Sequence, residues 1–268
     1  MNIVNSLAVI LYLSTGILLL RRLYQFSGKP CAGKQGLLLP GLMAVALHGW
    51  LLYQGIFCDP AGLDLGFFTI FSLVGWLVAL LLISSAFRHP IECLGILVMP
   101  FTAIALVLGE VSEQHLYLPH TLEAGLKFHI IISILAYSLL SIAMVQALLL
   151  YIQDLQLHNK HPGGFIRSLP PLQTMESLLF RMIGLGFIFL SISLLSGMLF
   201  IDNLFAQHLV HKTILSIIAW LLFAILLVGR WKFGWRGRIA IRWAMSGFIM
   251  LMLAYFGSKF VIELILHR

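Results

Sequence analysis

Charge is scarce in this chain. Asp, Glu, Lys and Arg make up 10% of it, against about 25% in a soluble domain, which excludes an ordinary water-soluble globule. Cysteine is scarce too. Cys31, Cys58 and Cys93 form no CxxC pair and no metal-ligand spacing, which excludes a disulfide scaffold, a zinc ribbon and a dithiol redox motif. A structural or incidental role is expected for them. No basic segment precedes the first apolar run and no small-residue cleavage site follows it, so that run reads as a retained helix rather than a signal peptide. Low-complexity tracts, a convincing internal repeat and a separate soluble domain are also missing. So are a nucleophile–base pair and a metal cluster, and a self-contained enzyme is therefore not expected.

What fills the chain is apolar. Hydrophobic residues make up 60% of it and its mean hydropathy is +1.01. A bilayer span needs about 20 mostly apolar residues, and within lipid a backbone bonds itself only as helix or closed barrel. The runs here are continuous and do not alternate, so the reading is all-α: a polytopic membrane helix bundle of about eight transmembrane helices, spanning 3–20, 39–57, 66–86, 91–109, 127–152, 177–200, 212–230 and 239–265. The whole chain, 1–268, is read as one transmembrane domain. It has a front half 1–153, a cytoplasmic connector 154–176 rich in Pro and Gly (Pro162, Gly163, Gly164, Pro170, Pro171), and a back half 177–268.

Loop charge orients the bundle. Arg21, Arg22, Lys29 and Lys34 follow the first span, Arg88 the third, Lys160 and Arg167 the fifth, and Arg230, Lys232, Arg236 and Arg238 the seventh. The alternate loops carry Asp59 and Asp64, then Glu110, Glu113 and Glu123, then Asp202. The positive-inside rule makes the basic side cytoplasmic and puts both termini outside, which in the expected location, a bacterial inner (plasma) membrane, is the periplasm. The net charge of +7 thus reads as orientation, with the lipid bilayer as partner and no nucleic acid.

Ten histidines stand against this apolar background. His89, His158 and His161 fall in cytoplasmic loops and His115 and His120 in an outer one, where solvated loop histidine is the plain reading. His48 lies halfway along the second span. There it is either a functional intramembrane group or a neutral imidazole bonded to a hydroxyl or carbonyl of a neighbouring helix. His129 opens the fifth span on the outer side, His211 opens the seventh on the same side with His208 one turn earlier, and His267 ends the eighth. A neutral imidazole nitrogen ligates iron, and a histidine is a common axial ligand of haem. Two from different helices can grip the macrocycle from both faces. His129 and His211 are the foremost pair, with His48, His208 and His267 as further cofactor-binding candidates and His48 as a ligand of a second, intramembrane haem. Of the remaining polar residues, Lys259 and Glu263 are read as an i,i+4 pair. Ser191, Ser193, Ser196 and Gly197 are read as small residues that let helices approach. Gly234, Trp235, Arg236, Gly237 and Arg238 read as a basic turn able to anchor anionic headgroups.

The back half resembles a known family. The segments are Glu176-Ser177-Leu178-Leu179-Phe180-Arg181 running on to Ser196-Gly197, then Ala219-Trp220-Leu221-Leu222-Phe223-Ala224, then Gly234-Trp235-Arg236-Gly237-Arg238, and finally Ser246-Gly247-Phe248 and Ala254-Tyr255-Phe256-Gly257. They resemble the cytochrome c assembly proteins, the haem-handling membrane proteins of the CcsA and CcmC type. The span from His129 through Ala136-Tyr137 fits that family's helix bearing an outer-side ligand histidine. One departure stands out. The family's tryptophan-rich outer stretch is absent, and His211-Lys212-Thr213 occupies the place of its acidic end, a pattern similar to the HemX/YpjD-like branch. The resemblance implies b-type haem (haem b) as cofactor, haem handling or cytochrome c biogenesis as role, and another membrane protein or an apocytochrome as partner. The missing stretch supports the rival, a non-haem membrane scaffold or regulator that binds a partner membrane protein. A small-solute transporter, resting on His48, Lys259 and Glu263, is a third option.

Overall fold

A computed structural model of the chain describes residues 3–24, 34–58, 62–87, 91–112, 116–119, 121–158, 169–200 and 207–257. His89, His115, His120, His161 and His267, the Lys259–Glu263 pair, Cys31 and Asp202 lie outside these residues. The chain is a polytopic membrane helix bundle, and among the described residues eight helices, the last counted together with the π turn that follows it, are long and apolar enough to cross a bilayer. They are α1 Ile3–Tyr24, α2 Lys34–Phe57, α3 Phe67–Ala86, α4 Gly95–Val111, α5 Ala124–His158, α6 Leu172–Phe200, α7 Gln207–Phe233 and α8 Gly237–Met252. A 3-10 turn, Glu92–Leu94, leads into α4, and a π turn, Leu253–Gly257, follows α8.

The helices fall into two compact units. In the first, α1 to α4 form an antiparallel ring in which each helix packs on its chain neighbours and α4 closes on α1. Tyr12 meets His48, His48 meets Ser72, Gly75 lies on Ala105 and Gly16 lies on Pro100. Two short strands, β1 Leu63–Asp64 and β2 Tyr117–Leu118, pair antiparallel at the end of the unit where α1 begins. In the second unit α5 to α8 form a ring of the same order, with α8 closing on α5. Gly186 packs on Leu140, Ser191 on Trp220, Gly247 on Phe223, and Tyr137 on Phe248 and Phe256.

Polarity is inverted relative to a soluble bundle. On α6 the residues Leu185, Ile188, Ile192, Leu195 and Leu199 recur at helical spacing and are exposed, whereas Gly186, Ser193, Ser196 and Gly197 are buried. Lipid is as apolar as leucine, so helix association rests on close packing and interhelical hydrogen bonds, which small and polar residues supply.

Several helices outrun their expected spans. α5 has 35 residues, about 52 Å at 1.5 Å per residue, well beyond a hydrocarbon core of about 30 Å. It runs on to His158 and α6 begins at Leu172, so both ends of the expected connector are helical. The cause is polar pinning. Arg238 Nε donates to Asp154 Oδ2 at 2.7 Å, and Glu176 accepts from the Gly237 N–H at 2.7 Å and from Arg236 Nε at 3.3 Å. The α7–α8 turn that carries these donors uses Gly234 and Gly237 at φ +65° and +54°, where a Cβ would be strained. The eighth span continues from α8 into the π turn, where Tyr255 and Phe256 both lie against Tyr137.

Candidate functional site

His129 sits in the second turn of α5, half-buried against α6. Its Nδ1 lies 3.0 Å from the Ser193 carbonyl oxygen and 3.0 Å from Ser196 Oγ. A carbonyl only accepts, so Nδ1 carries the proton and donates to it. Ser133 tightens the same junction, donating to the His129 carbonyl at 2.6 Å and pairing with Ser193 Oγ at 2.7 Å. The ring lies close against a glycine: a Cβ on Gly197 would stand 3.1 Å from His129 Cε1. Three contacts on the ring therefore fix its position, and the Ser193 carbonyl fixes its tautomer. Nε2, the other nitrogen, keeps its lone pair, and among the described residues it has no hydrogen-bond partner. This is the arrangement of a metal-ligating histidine, whose second nitrogen donates to a carbonyl and so orients the first.

His211 is exposed in the second turn of α7. Its height follows from Trp220, whose Nε1 donates to Ser191 Oγ at 2.8 Å and whose ring stacks on Phe187. From Trp220 back to His211 is 220 − 211 = 9 residues, about 14 Å along the helix. The antiparallel α6, followed the same distance from Ser191, reaches its last turn near Phe200. His211 thus stands at the end of the unit that also holds His129. His208 is one turn earlier in α7, and its side chain lies outside the described residues. His158, expected in a loop, is instead the last residue of α5, and it is exposed.

His48 is different. It is 0% exposed, and both ring nitrogens are engaged, Nδ1 with Tyr12 Oη at 3.2 Å and Nε2 with Ser72 Oγ at 2.9 Å. These contacts are those of its hydrogen-bonded reading, an imidazole bonded to hydroxyls of neighbouring helices. In this arrangement the one ring nitrogen that keeps a lone pair accepts from a hydroxyl, so ligating iron through it would first break that bond. Among the described residues no three or more His, Cys, Asp and Glu come together as a metal-holding group, whereas a haem iron needs only one or two protein ligands.

The basic turn is a junction more than a free patch. Arg236 and Arg238 pair with Glu176 and Asp154, and Arg230 lies 4.7 Å over the Phe180 ring while donating to the Trp235 carbonyl at 3.2 Å. Sequence reasoning missed the second role of Ser193, Ser196 and Gly197, which hold His129 as well as easing helix approach. Their i, i+3, i+4 spacing was the visible signal. It also missed Tyr12, since a lone tyrosine in an apolar run announces no partner.

The family model described as Cytochrome C assembly protein matches residues 37–266. The chain is 34% identical over 224 residues to "Inner membrane protein YpjD" of Escherichia coli (strain K12), covering 83% of this chain and 82% of that one. An "Uncharacterized 28.8 kDa protein in nifR3-like 5'region" of Azospirillum brasilense is 32% identical over 143 residues, 53% of each chain. "Cytochrome c biogenesis protein CcsA" of Chlamydomonas reinhardtii is 27% identical over 157 residues, 58% of this chain and 43% of that one. No solved structure matches the chain.

Proposed function

Because the chain belongs to the cytochrome c assembly protein family, we propose that it is a haem-binding, multi-pass protein of the bacterial inner membrane that handles b-type haem in cytochrome c biogenesis. The observation that carries the reading is the His129 imidazole. Its Nδ1 proton is committed to the Ser193 carbonyl, and its Nε2 is left as a fixed, unshared donor. The residues present fit haem. Ser193 and Ser196 hold the tautomer, the backbone at Gly197 leaves room for the imidazole, and His211 at the same end of the unit would be the second ligand. Bound haem supplies the iron that such nitrogens ligate, and the protein's part is to orient the imidazole and keep its proton off Nε2. The Escherichia coli and Chlamydomonas relatives, named as an inner membrane protein and a cytochrome c biogenesis protein, support the membrane and the role.

One observation favours a second reading. The outer loop before α7 has no tryptophan, so a scaffold that keeps the fold, binds no haem and steadies a partner membrane protein is the alternative. Haem content separates the two. Protein purified in detergent from haem-replete cells is expected to carry haem with a Soret band, and apoprotein is expected to regain the band when haemin is added. Protein that stays colourless under both conditions is the scaffold.

A further inference from the structure

A cavity of about 210 Å³ opens in the first unit, where α1 begins, α4 ends and the β1–β2 ribbon lies. Its floor holds Asn5, His48 and Ser72, and its mouth carries the exposed Glu110 and Tyr117. Asn5 is 2% exposed, and among the described residues neither its Oδ1 nor its Nδ2 has a hydrogen-bond partner. A buried carboxamide with both ends unpaired is costly to keep, and this one lines a space large enough to fill. At about 30 Å³ per water the volume equals roughly seven waters, or a solute of comparable size.

The surroundings select the solute's charge. Asp64, also in the lining, accepts from the Gly66 and Leu116 amides at 2.9 and 3.2 Å and from the Thr69 hydroxyl at 2.7 Å. Glu110 brings a second carboxylate to the mouth. Among the described residues that line the cavity there is no Lys or Arg. His48 and Ser72 are spent on each other, so the unmet demand at the floor is the Asn5 amide, which needs one acceptor and one donor. We propose that this cavity binds a small primary ammonium ion that also bears a neutral hydrogen-bond acceptor, such as an amino amide or amino alcohol. The ammonium N–H groups satisfy Asn5 Oδ1, the acceptor satisfies Asn5 Nδ2, and the positive charge lies in the field of Asp64 and Glu110. Its size sets this site apart from any haem site, and it does not depend on the haem reading.

The test is thermal unfolding of the detergent-purified full chain against glycinamide, with tetramethylammonium and sodium at equal ionic strength as controls. A ligand of the native state raises Tm with concentration. The expected result is a saturating rise with glycinamide and none with the controls. Asn5→Leu and Glu110→Gln should each raise the half-saturating concentration by about tenfold, the effect of one hydrogen bond or ion contact. Asn5→Leu removes an unpaired buried amide and should itself fold at least as well as wild type. Glu110→Gln, at the exposed mouth, keeps the test decisive if it does not. Free ethanolamine and phosphatidylethanolamine in the micelle share the chemistry, and comparing them tells a free solute from a lipid headgroup. No rise with any ammonium compound overturns the proposal and leaves the cavity to water. Equal rises with tetramethylammonium, or in Asn5→Leu, overturn it too.

Discussion

The His129 ring is held through one nitrogen so that the other stays available, and this makes its hydrogen-bond partners as consequential as the histidine itself. Ser196→Ala removes one of two acceptors at Nδ1 while the Ser193 carbonyl remains. Orienting partners of a ligating histidine are worth about 10- to 100-fold in affinity. With one partner retained, haem affinity is expected to fall by about tenfold, measured by haemin titration of the apoprotein; unchanged affinity would show that the hydroxyl orients nothing. His48 makes the opposite case. Its bonds to Tyr12 and Ser72 are interhelical, and such bonds in membranes are worth about 0.6 kcal/mol each and up to about 1.7. Tyr12→Phe should therefore cost about 1 kcal/mol. His48→Ala, which also leaves a cavity, should cost about 2–4 kcal/mol, with the haem spectrum of the surviving folded protein unchanged. Urea or thermal unfolding in detergent reads the first, and the optical spectrum reads the second. The sequence showed His48 as an intramembrane imidazole but could not choose between its two readings, because the choice lay with Tyr12, 36 residues away.

At the scale of elements, the α7–α8 turn is where polar chemistry sets helix length. Glu176 is nearly buried at the start of α6 and accepts the Gly237 N–H, one of the unpaired donors of the first turn of α8. Glu176→Ala is expected to destabilise the protein by about 1–3 kcal/mol, leaving that amide and Arg236 without their acceptor. Glu176→Gln, which still accepts from the amide, should recover part of the loss. Equal Tm values for Ala and wild type would show that the junction is idle. Apolar run length in the sequence located all eight helices, since each must satisfy its own backbone in lipid. It located their ends less well, because the last turns of α5 and the first of α6 are held by Asp154 and Glu176 bonding to residues of a later helix. The two-residue β1–β2 pairing was equally invisible. It depends on Asp64 reaching the Leu116 amide, 52 residues on, and nothing in either short segment announces a strand.

Across the whole molecule, the alternation of basic and acidic loops predicts an orientation that helix packing alone does not report. Reporter fusions at Lys160 and Asp202 should land on opposite faces of the membrane, with Lys160 in the cytoplasm. Placement on the same face would mean that the span count between them is wrong. The same alternation predicts His129 and His211 on the periplasmic face and Glu176 with its arginines on the cytoplasmic one. The haem reading comes down to His129 Nε2, and chemical rescue tests it most directly. His129→Gly should lose or shift the Soret band of the wild-type protein, and added imidazole should restore it by standing in the vacated place, while His158→Ala at the far end of α5 should keep a wild-type spectrum throughout. A His129→Gly protein that folds, binds haem and shows the unaltered wild-type spectrum without imidazole would contradict the assignment of His129 as ligand.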